Sequence, residues 1–293
     1  MKIESILVIS DQQDKEQKAL SHAKVMAESY GAKLHVVAFN YEHFNSLPPE
    51  LSDMQHSEIK EKILLAGRKW LDSQLAKQGL ESQASYEVVW EKDIPAWLKK
   101  HCAAHDYDLI IKTGHRSERA FYVPTDWHLL RNNLVPILLV AEKKWRKKQS
   151  IMLTLDMATR VKSKQALNQK LIDAGLTLAA GTGMPLHICF SLAISPVLKD
   201  LGIIDQRTAV KDAKAKYIPL INSMLRGHEI PVEHIHIKAG PATKVIPSVA
   251  SKIGAALVII GSVGRKGVRA KIMGNTAEGV LALLKTDILV IQP

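Results

Sequence analysis

The apolar run Ser5-Ile-Leu-Val-Ile-Ser-Asp11 returns 145 residues later as Ser150-Ile-Met-Leu-Thr-Leu-Asp156, and no other feature constrains the fold of this chain as tightly. Each copy is short, almost wholly apolar and ends in a carboxylate, the pattern of a strand buried on both faces of a sheet. The segments after the two copies repeat as well. Helical apolar spacing over Gln17 to Tyr30 stops at Gly31, and a helix over about Ser163 to Ala180 stops at Gly181-Thr-Gly183. A glycine there can take the left-handed turn that closes a helix. Second strands come next, at Leu34 to Phe39 and Leu186 to Phe190.

The parallel continues to the end. Longer helices are predicted over about 56–78 and 206–226, third strands over Ser85 to Trp90 and Val232 to Lys238. Helices over Ile94 to His105 and Ala242 to Ile253 then lead to fourth strands at Leu109 to Ile111 and Leu257 to Ile260. A final helix in each half precedes Pro136 to Val140 and Asp287 to Ile291. Five alternations of strand and helix predict an α/β fold, a parallel sheet with helices on both faces, present twice as a tandem duplication. The expected boundaries are 1–142 for the first module, 143–149 for a basic linker and 150–293 for the second. The linker lies in Ala141-Glu-Lys-Lys-Trp-Arg-Lys-Lys-Gln149, whose five cations suit a solvated connector.

The second half carries the stretch with the clearest chemistry. After the strand Leu257 to Ile260 comes Gly261-Ser-Val-Gly-Arg-Lys-Gly-Val-Arg-Ala-Lys-Ile-Met-Gly274, and a helix is predicted to start at Asn275. Gly261, Gly264 and Gly274 let the backbone turn and approach a ligand without a Cβ in the way. Arg265, Lys266, Arg269 and Lys271 add cations, and the first N–H groups of the helix add partial positive charge. Together these are the parts of a phosphate cradle. A structural alternative stays open: Asn275 can act as a helix cap, with Glu278 closing a capping box. Charge agrees with an anionic ligand, since residues 150–293 hold 18 Lys/Arg against 9 Asp/Glu while residues 1–149 hold 22 against 20. Aromatic content of 5% leaves no stacking ladder, which disfavours nucleic acid as the partner.

The first half lacks this loop. Gly114-His-Arg-Ser-Glu-Arg-Ala-Phe-Tyr-Val-Pro-Thr-Asp-Trp-His-Leu-Leu-Arg131 has no further glycine, and its connection to the last strand is four residues shorter than the one after Gly261. Pro124 predicts a stiff, extended approach to the helix, which Thr125 or Asp126 can cap. The first half is therefore expected to bind no nucleotide. Phe121, Tyr122 and Trp127 leave room for a more apolar ligand as an alternative.

The spacing Gly261-x2-Gly264-x9-Gly274-Asn275 resembles the G-x2-G-x9-G-(S/T) loop of ATP-binding universal stress proteins, and is neither a Walker loop nor a Rossmann fingerprint. Asn275 departs from that pattern, with Thr276 next to it. Together with the duplication and with Pro124 to Arg131, the chain is similar throughout to tandem members of that family. The resemblance implies two five-stranded modules paired as an intramolecular pseudo-dimer, with further homodimerisation through module faces, and a cytoplasmic role in stress survival. It implies ATP or ADP, with or without Mg²⁺, at Asp156, Ile188, Gly261, Ser262, Gly264, Arg265, Lys266, Gly274, Asn275 and Thr276.

Turnover is not expected. Fast phosphoryl transfer needs a positioned base or water-orienting group and a metal ligand beside the phosphates, and only Asp156 and Glu278 are near candidates. His234 and His236 share one face of a predicted strand, but the sequence places no third metal ligand. His35 and His187 occupy equivalent strand positions, which points to packing or a hydrogen bond. Cys102 and Cys189 are expected to be inert, and two cysteines build no disulfide framework, which favours a reducing cytoplasm. No apolar run is long enough to span a bilayer. The alternative to nucleotide binding is an interaction protein whose output is its assembly state; anion or RNA binding by the basic half is a weaker one.

Overall fold

A computed structural model describes residues 1–43, 53–114, 124–132, 135–141, 144–263 and 275–293. Its contacts divide the chain into two compact units, one built on Ile3–His115 and Pro124–Lys144 and the other on Trp145–Pro293. The first runs β1 (Ser5–Ser10), α1 (Lys18–Tyr30), β2 (Lys33–Asn40), α2 (Asp53–Gln78), β3 (Ala84–Trp90), α3 (Ile94–Ala104), β4 (Leu109–Thr113), α4 (Pro124–Asn132) and β5 (Ile137–Val140). The second runs β6 (Ser150–Leu155), α5 (Lys162–Thr182), β7 (Leu186–Leu192), α6 (Pro196–Asp200), α7 (Gln206–Met224), β8 (Ile235–Ala239), α8 (Ala242–Lys252), β9 (Ala255–Gly261), α9 (Asn275–Leu283) and β10 (Asp287–Ile291).

Among the described residues each unit is one five-stranded sheet. The first has the order β3-β2-β1-β4-β5 and the second β10-β9-β6-β7-β8. The pairings within each sheet are parallel. Parallel strands need helical crossovers, and those helices cover both faces: α1 packs beside α2, and α3 beside α4. The central strands are accordingly mostly apolar, with Ile6, Leu7 and Val8 of β1 and Ile151, Met152 and Leu153 of β6 sealed from solvent.

Local chemistry fixes the element ends. Gly31 (φ 68°) and Gly183 (φ 69°) terminate α1 and α5 in the left-handed conformation a side chain would resist. Asp93 and Asp205 cap α3 and α7 by accepting the Ala96 and Thr208 amides. Pro124 is the first residue of α4 rather than part of an extended lead-in. At that position its missing N–H leaves no helical hydrogen bond unmade. The third strand of the second unit begins later than its alternation suggests, because Val232–His234 form a 3₁₀ turn and pairing starts at Ile235. The short helix α6 lies in a stretch that reads as merely polar and variable.

The segment before β6 is tied down by one side chain. The Trp145 indole Nε1 donates to the Asp287 carboxylate at 2.6 Å, and Asp287, the first residue of β10, is fully buried.

Candidate functional site

In each sheet the chain starts in the middle, winds to one edge, returns to the other side of the first strand and winds to the second edge. The helices leaving the two central strands therefore diverge, and a crevice opens beyond their carboxyl ends, where open α/β sheets hold ligands. In the second unit this is the gap between the ends of β6 and β9. In the first it is the gap between β1 and β4.

Asp156 stands at the tip of β6 with an exposed side chain. Its backbone is gripped on both sides by buried Asn168 of α5: the Asp156 amide donates to Asn168 Oδ1 at 3.1 Å, and Asn168 Nδ2 donates to the Asp156 carbonyl at 3.0 Å. Among the described residues the carboxylate itself meets only a loose Lys164 ammonium at 3.5 Å, both groups being about half exposed. Such a pair holds weakly in water. The arrangement is a fixed backbone presenting an acceptor that can take hydrogen bonds from hydroxyl groups.

Across the crevice β9 ends at Gly261. Its backbone is not left-handed; what excludes a side chain is α5, because a Cβ would lie 2.7 Å from Leu167 Cδ2 and 3.2 Å from Leu171 Cδ1. Close helix packing, rather than a sharp turn, accounts for this glycine. Ser262 is buried, and its amide donates to the Ile291 carbonyl at 2.9 Å. Ile188 is wholly buried in β7, level with Leu153 of β6 and Ile235 of β8. The helix α9 begins at Asn275, with Glu278 in its first turn. Gly264, Arg265, Lys266, Arg269, Lys271 and Gly274 lie outside the described residues, as do Phe121 and Tyr122 and the side chains of Asn275 and Thr276. A cleft of about 470 Å³ opens near the end of β7 under α6 and α7, lined by Leu192, Leu198, Ile204 and Tyr217 among others. Of the residues expected to contact nucleotide, the described ones, Asp156, Ile188, Gly261 and Ser262, do not line it.

The crevice of the first unit is filled by the chain itself. The sheet registers place Thr113, not Gly114, level with Gly261, and Lys112 level with Ile260. Thr113 Oγ1 donates to the buried Asp14 carboxylate at 2.8 Å, and the Lys18 amide donates to the same carboxylate at 2.7 Å. Gln17, buried and in the left-handed region (φ 48°), bonds the Asp11 and Asp14 carbonyls and accepts from the Ser10 hydroxyl. A non-glycine residue holds that conformation at a cost of about 1–2 kcal/mol, which these bonds offset. On the opposite face, Lys112 Nζ reaches Asp126 Oδ1 at 2.9 Å, with side-chain exposures of 4% and 0%. Lys112 also donates to the Thr113 carbonyl at 2.8 Å. Asp126 sits in the first turn of α4, the place where a helix favours negative charge. The chain thus supplies its own anion, Asp126, to the buried Lys112 ammonium on that face.

The histidines are better organised than their sequence spacing suggests. His234 and His236 gain a third neighbour, His187 of β7, whose ring stacks on His234 with centroids 3.9 Å apart and whose Nδ1 lies 3.0 Å from His236 Nε2. Burial, then the nearby His234 and His236, push the His187 pKa down to about 4. Burial likewise lowers His236. Burial raises the Cys102 and Cys189 thiols to about 11 and 12, which keeps both protonated and unreactive at neutral pH.

Comparison with known proteins agrees with this architecture. A sequence profile of the universal stress protein family matches residues 2–141 and again residues 162–292. The universal stress protein E homolog of Haemophilus influenzae is 28% identical over 307 residues, covering 100% of this chain and 98% of that protein. Universal stress protein E of Escherichia coli K12 is 26% identical, covering 99% and 94%. Among solved structures, a functionally unknown protein from Pseudomonas aeruginosa superposes with a TM-score of 0.73 at 25% identity, over 99% of this chain and 93% of that one. A universal stress protein from Archaeoglobus fulgidus has a TM-score of 0.65 at 17% identity, over 98% of both. The duplicated five-stranded sheets, the match in both halves and the full-length relatives place this chain in the universal stress protein family, as a tandem member.

Proposed function

We propose that the second unit binds an adenine nucleotide, ATP or ADP with or without Mg²⁺, in the crevice between the ends of β6 and β9, and that the chain acts by binding rather than turnover in a cytoplasmic stress response. The contrast between the two crevices carries this reading. At equivalent positions the first unit has Lys112 and Thr113 tied to Asp126 and Asp14, while the second has Ile260 and Gly261 and leaves the Asp156 carboxylate exposed. In the proposed site Asp156 accepts from ribose hydroxyls and Ile188 borders the base. Gly264, Arg265, Lys266, Gly274, Asn275 and Thr276 hold the phosphates together with the first amides of α9, which suit an anion. Ser262 anchors the start of the loop.

The test is thermal melting of the untagged protein with millimolar ATP, with and without Mg²⁺. At 100 times its dissociation constant a ligand adds about 2.7 kcal/mol of stability, which a melting scan resolves. Gly274→Val is expected to abolish the shift and Asp156→Ala to reduce it. A wild-type protein that gives no shift with ATP or ADP favours the assembly reading instead, for which Asn275 in place of Ser or Thr is the supporting feature.

A further inference from the structure

A second site with metal-binding chemistry lies in the first unit, at the amino-terminal end of its strands and so at the end opposite its crevice. His35 is the third residue of β2, Glu87 the fourth of β3, and His101 lies in the last turn of α3. Glu87 Oε1 is 3.2 Å from His35 Nε2 and 4.0 Å from His101 Nδ1. One ligand atom from each of the three residues falls within 4.8 Å of the others, and all three residues are only partly exposed. We propose that His35, Glu87 and His101 form a site for one divalent transition-metal ion of the Zn²⁺ class.

Three observations carry the assignment. First, the donor set is two imidazoles and a carboxylate, which suits Zn²⁺ with its fourth position open to water. Metal–ligand lengths of about 2.0–2.2 Å put neighbouring ligand atoms roughly 3.3–3.6 Å apart at a tetrahedral centre. The two separations from Glu87 bracket that range, and small ring rotations close the third. Second, each histidine has its other ring nitrogen occupied. His35 Nδ1 lies 2.8 Å from Ser85 Oγ, and His101 Nε2 lies 3.0 Å from the Tyr107 hydroxyl. Such outer partners fix the ring and its tautomer in metal sites. Third, with the Ser85 hydroxyl donating to the Leu34 carbonyl at 3.3 Å, it is free to accept the proton on His35 Nδ1 at 2.8 Å. That tautomer leaves a bare lone pair on His35 Nε2 facing a carboxylate oxygen. Two lone pairs at that distance repel unless a proton or a cation stands between them.

The supports are rigid. The His101 ring is sandwiched between Trp97 at 4.2 Å and His105 at 4.3 Å, centroid to centroid. The cluster in the second unit is built differently. There His187 and His236 face each other nitrogen to nitrogen and His187 and His234 stack face to face, so the three rings do not converge on a common point.

Untagged, chelator-stripped protein is titrated with Zn²⁺ by calorimetry and with Co²⁺ by visible absorption. The site predicts one ion per chain and the visible d–d band of Co²⁺ with few ligands. His35→Asn, Glu87→Gln and His101→Asn are each expected to weaken Zn²⁺ binding on the order of 100-fold, and Ser85→Ala about 10-fold, as loss of an outer partner does. Each variant is melted in chelator beside the wild type. Glu87→Gln, at a side chain 40% exposed, decides the matter even where a histidine variant fails to fold. An unchanged affinity in Glu87→Gln overturns the assignment. So does a Co²⁺ band that survives His101→Asn and is lost in His236→Asn.

Discussion

Removing Asp126 tests whether the first unit supplies its own anion. The carboxylate is fully buried and lies 2.9 Å from Lys112 Nζ, itself 4% exposed. Asp126→Ala leaves a buried ammonium whose remaining partner among the described residues is the Thr113 carbonyl. Breaking a buried pair by deleting one member costs about 3–5 kcal/mol, because the other charge stays desolvated. Replacing both charges with apolar groups of similar size is often neutral. Lys112→Met with Asp126→Leu is therefore expected to recover most of the loss. For a unit of this size the single change lowers the melting temperature by roughly 6–20 °C.

The assay is urea unfolding followed by tryptophan fluorescence. Four of the five tryptophans, Trp70, Trp90, Trp97 and Trp127, belong to the first half, so the signal reports chiefly on the unit being perturbed. Tens of millimolar formate or phosphate is expected to restore part of the stability of Asp126→Ala while leaving the wild type unchanged. A loss in Asp126→Ala below about 1 kcal/mol, well short of the range for a broken buried pair, refutes the reasoning. A double variant as unstable as the single one refutes it equally.

Other expectations rest on the same geometry. His187 binds a proton near pH 4 in the folded protein against 6.5 unfolded, so its share of stability is full above about pH 6.5 and is lost as the pH falls toward 4. Discounted for solvent screening, the loss is on the order of 1–2 kcal/mol, and a pH series of melts on His187→Gln is expected to be flatter over that window. Gly261→Val drives a side chain into Leu167 and Leu171 and is expected to destabilise the second unit by about 1–3 kcal/mol, as overpacking does; calorimetric melting without ligand checks it. Nucleotide binding and metal binding have their own tests, in different units, and the outcome of one leaves the other standing.

Much of the fold was legible because parallel strands must be buried on both faces, which writes them as apolar runs, and because glycine marks helix ends. Asp287 to Ile291 and Ala242 onward match the observed elements almost residue for residue. The departures have local causes. Val232 to His234 alternates like a strand, but Pro231 precedes it and the chain makes a tight turn before pairing. The filled crevice could not be read from the sequence, because it depends on Gln17 holding a left-handed backbone and on Thr113, not Gly114, reaching the end of β4. The convergence of His35, Glu87 and His101 escaped for a related reason. It needs the β2–β3 register, which sets His35 beside Ser85 and two residues from Glu87, and a helix that brings His101 back over that edge. The equivalence of His35 and His187 was the visible signal, and sequence spacing alone reads it as packing.

The Lys112–Asp126 pair gives the first unit a counter-ion that never dissociates. Its occupancy is set by covalent connection, so changing the solute pool neither fills nor empties it. A lysine that carries a tethered substitute is held at one fixed occupancy, and the concentration of a small anion in solution does not reach it.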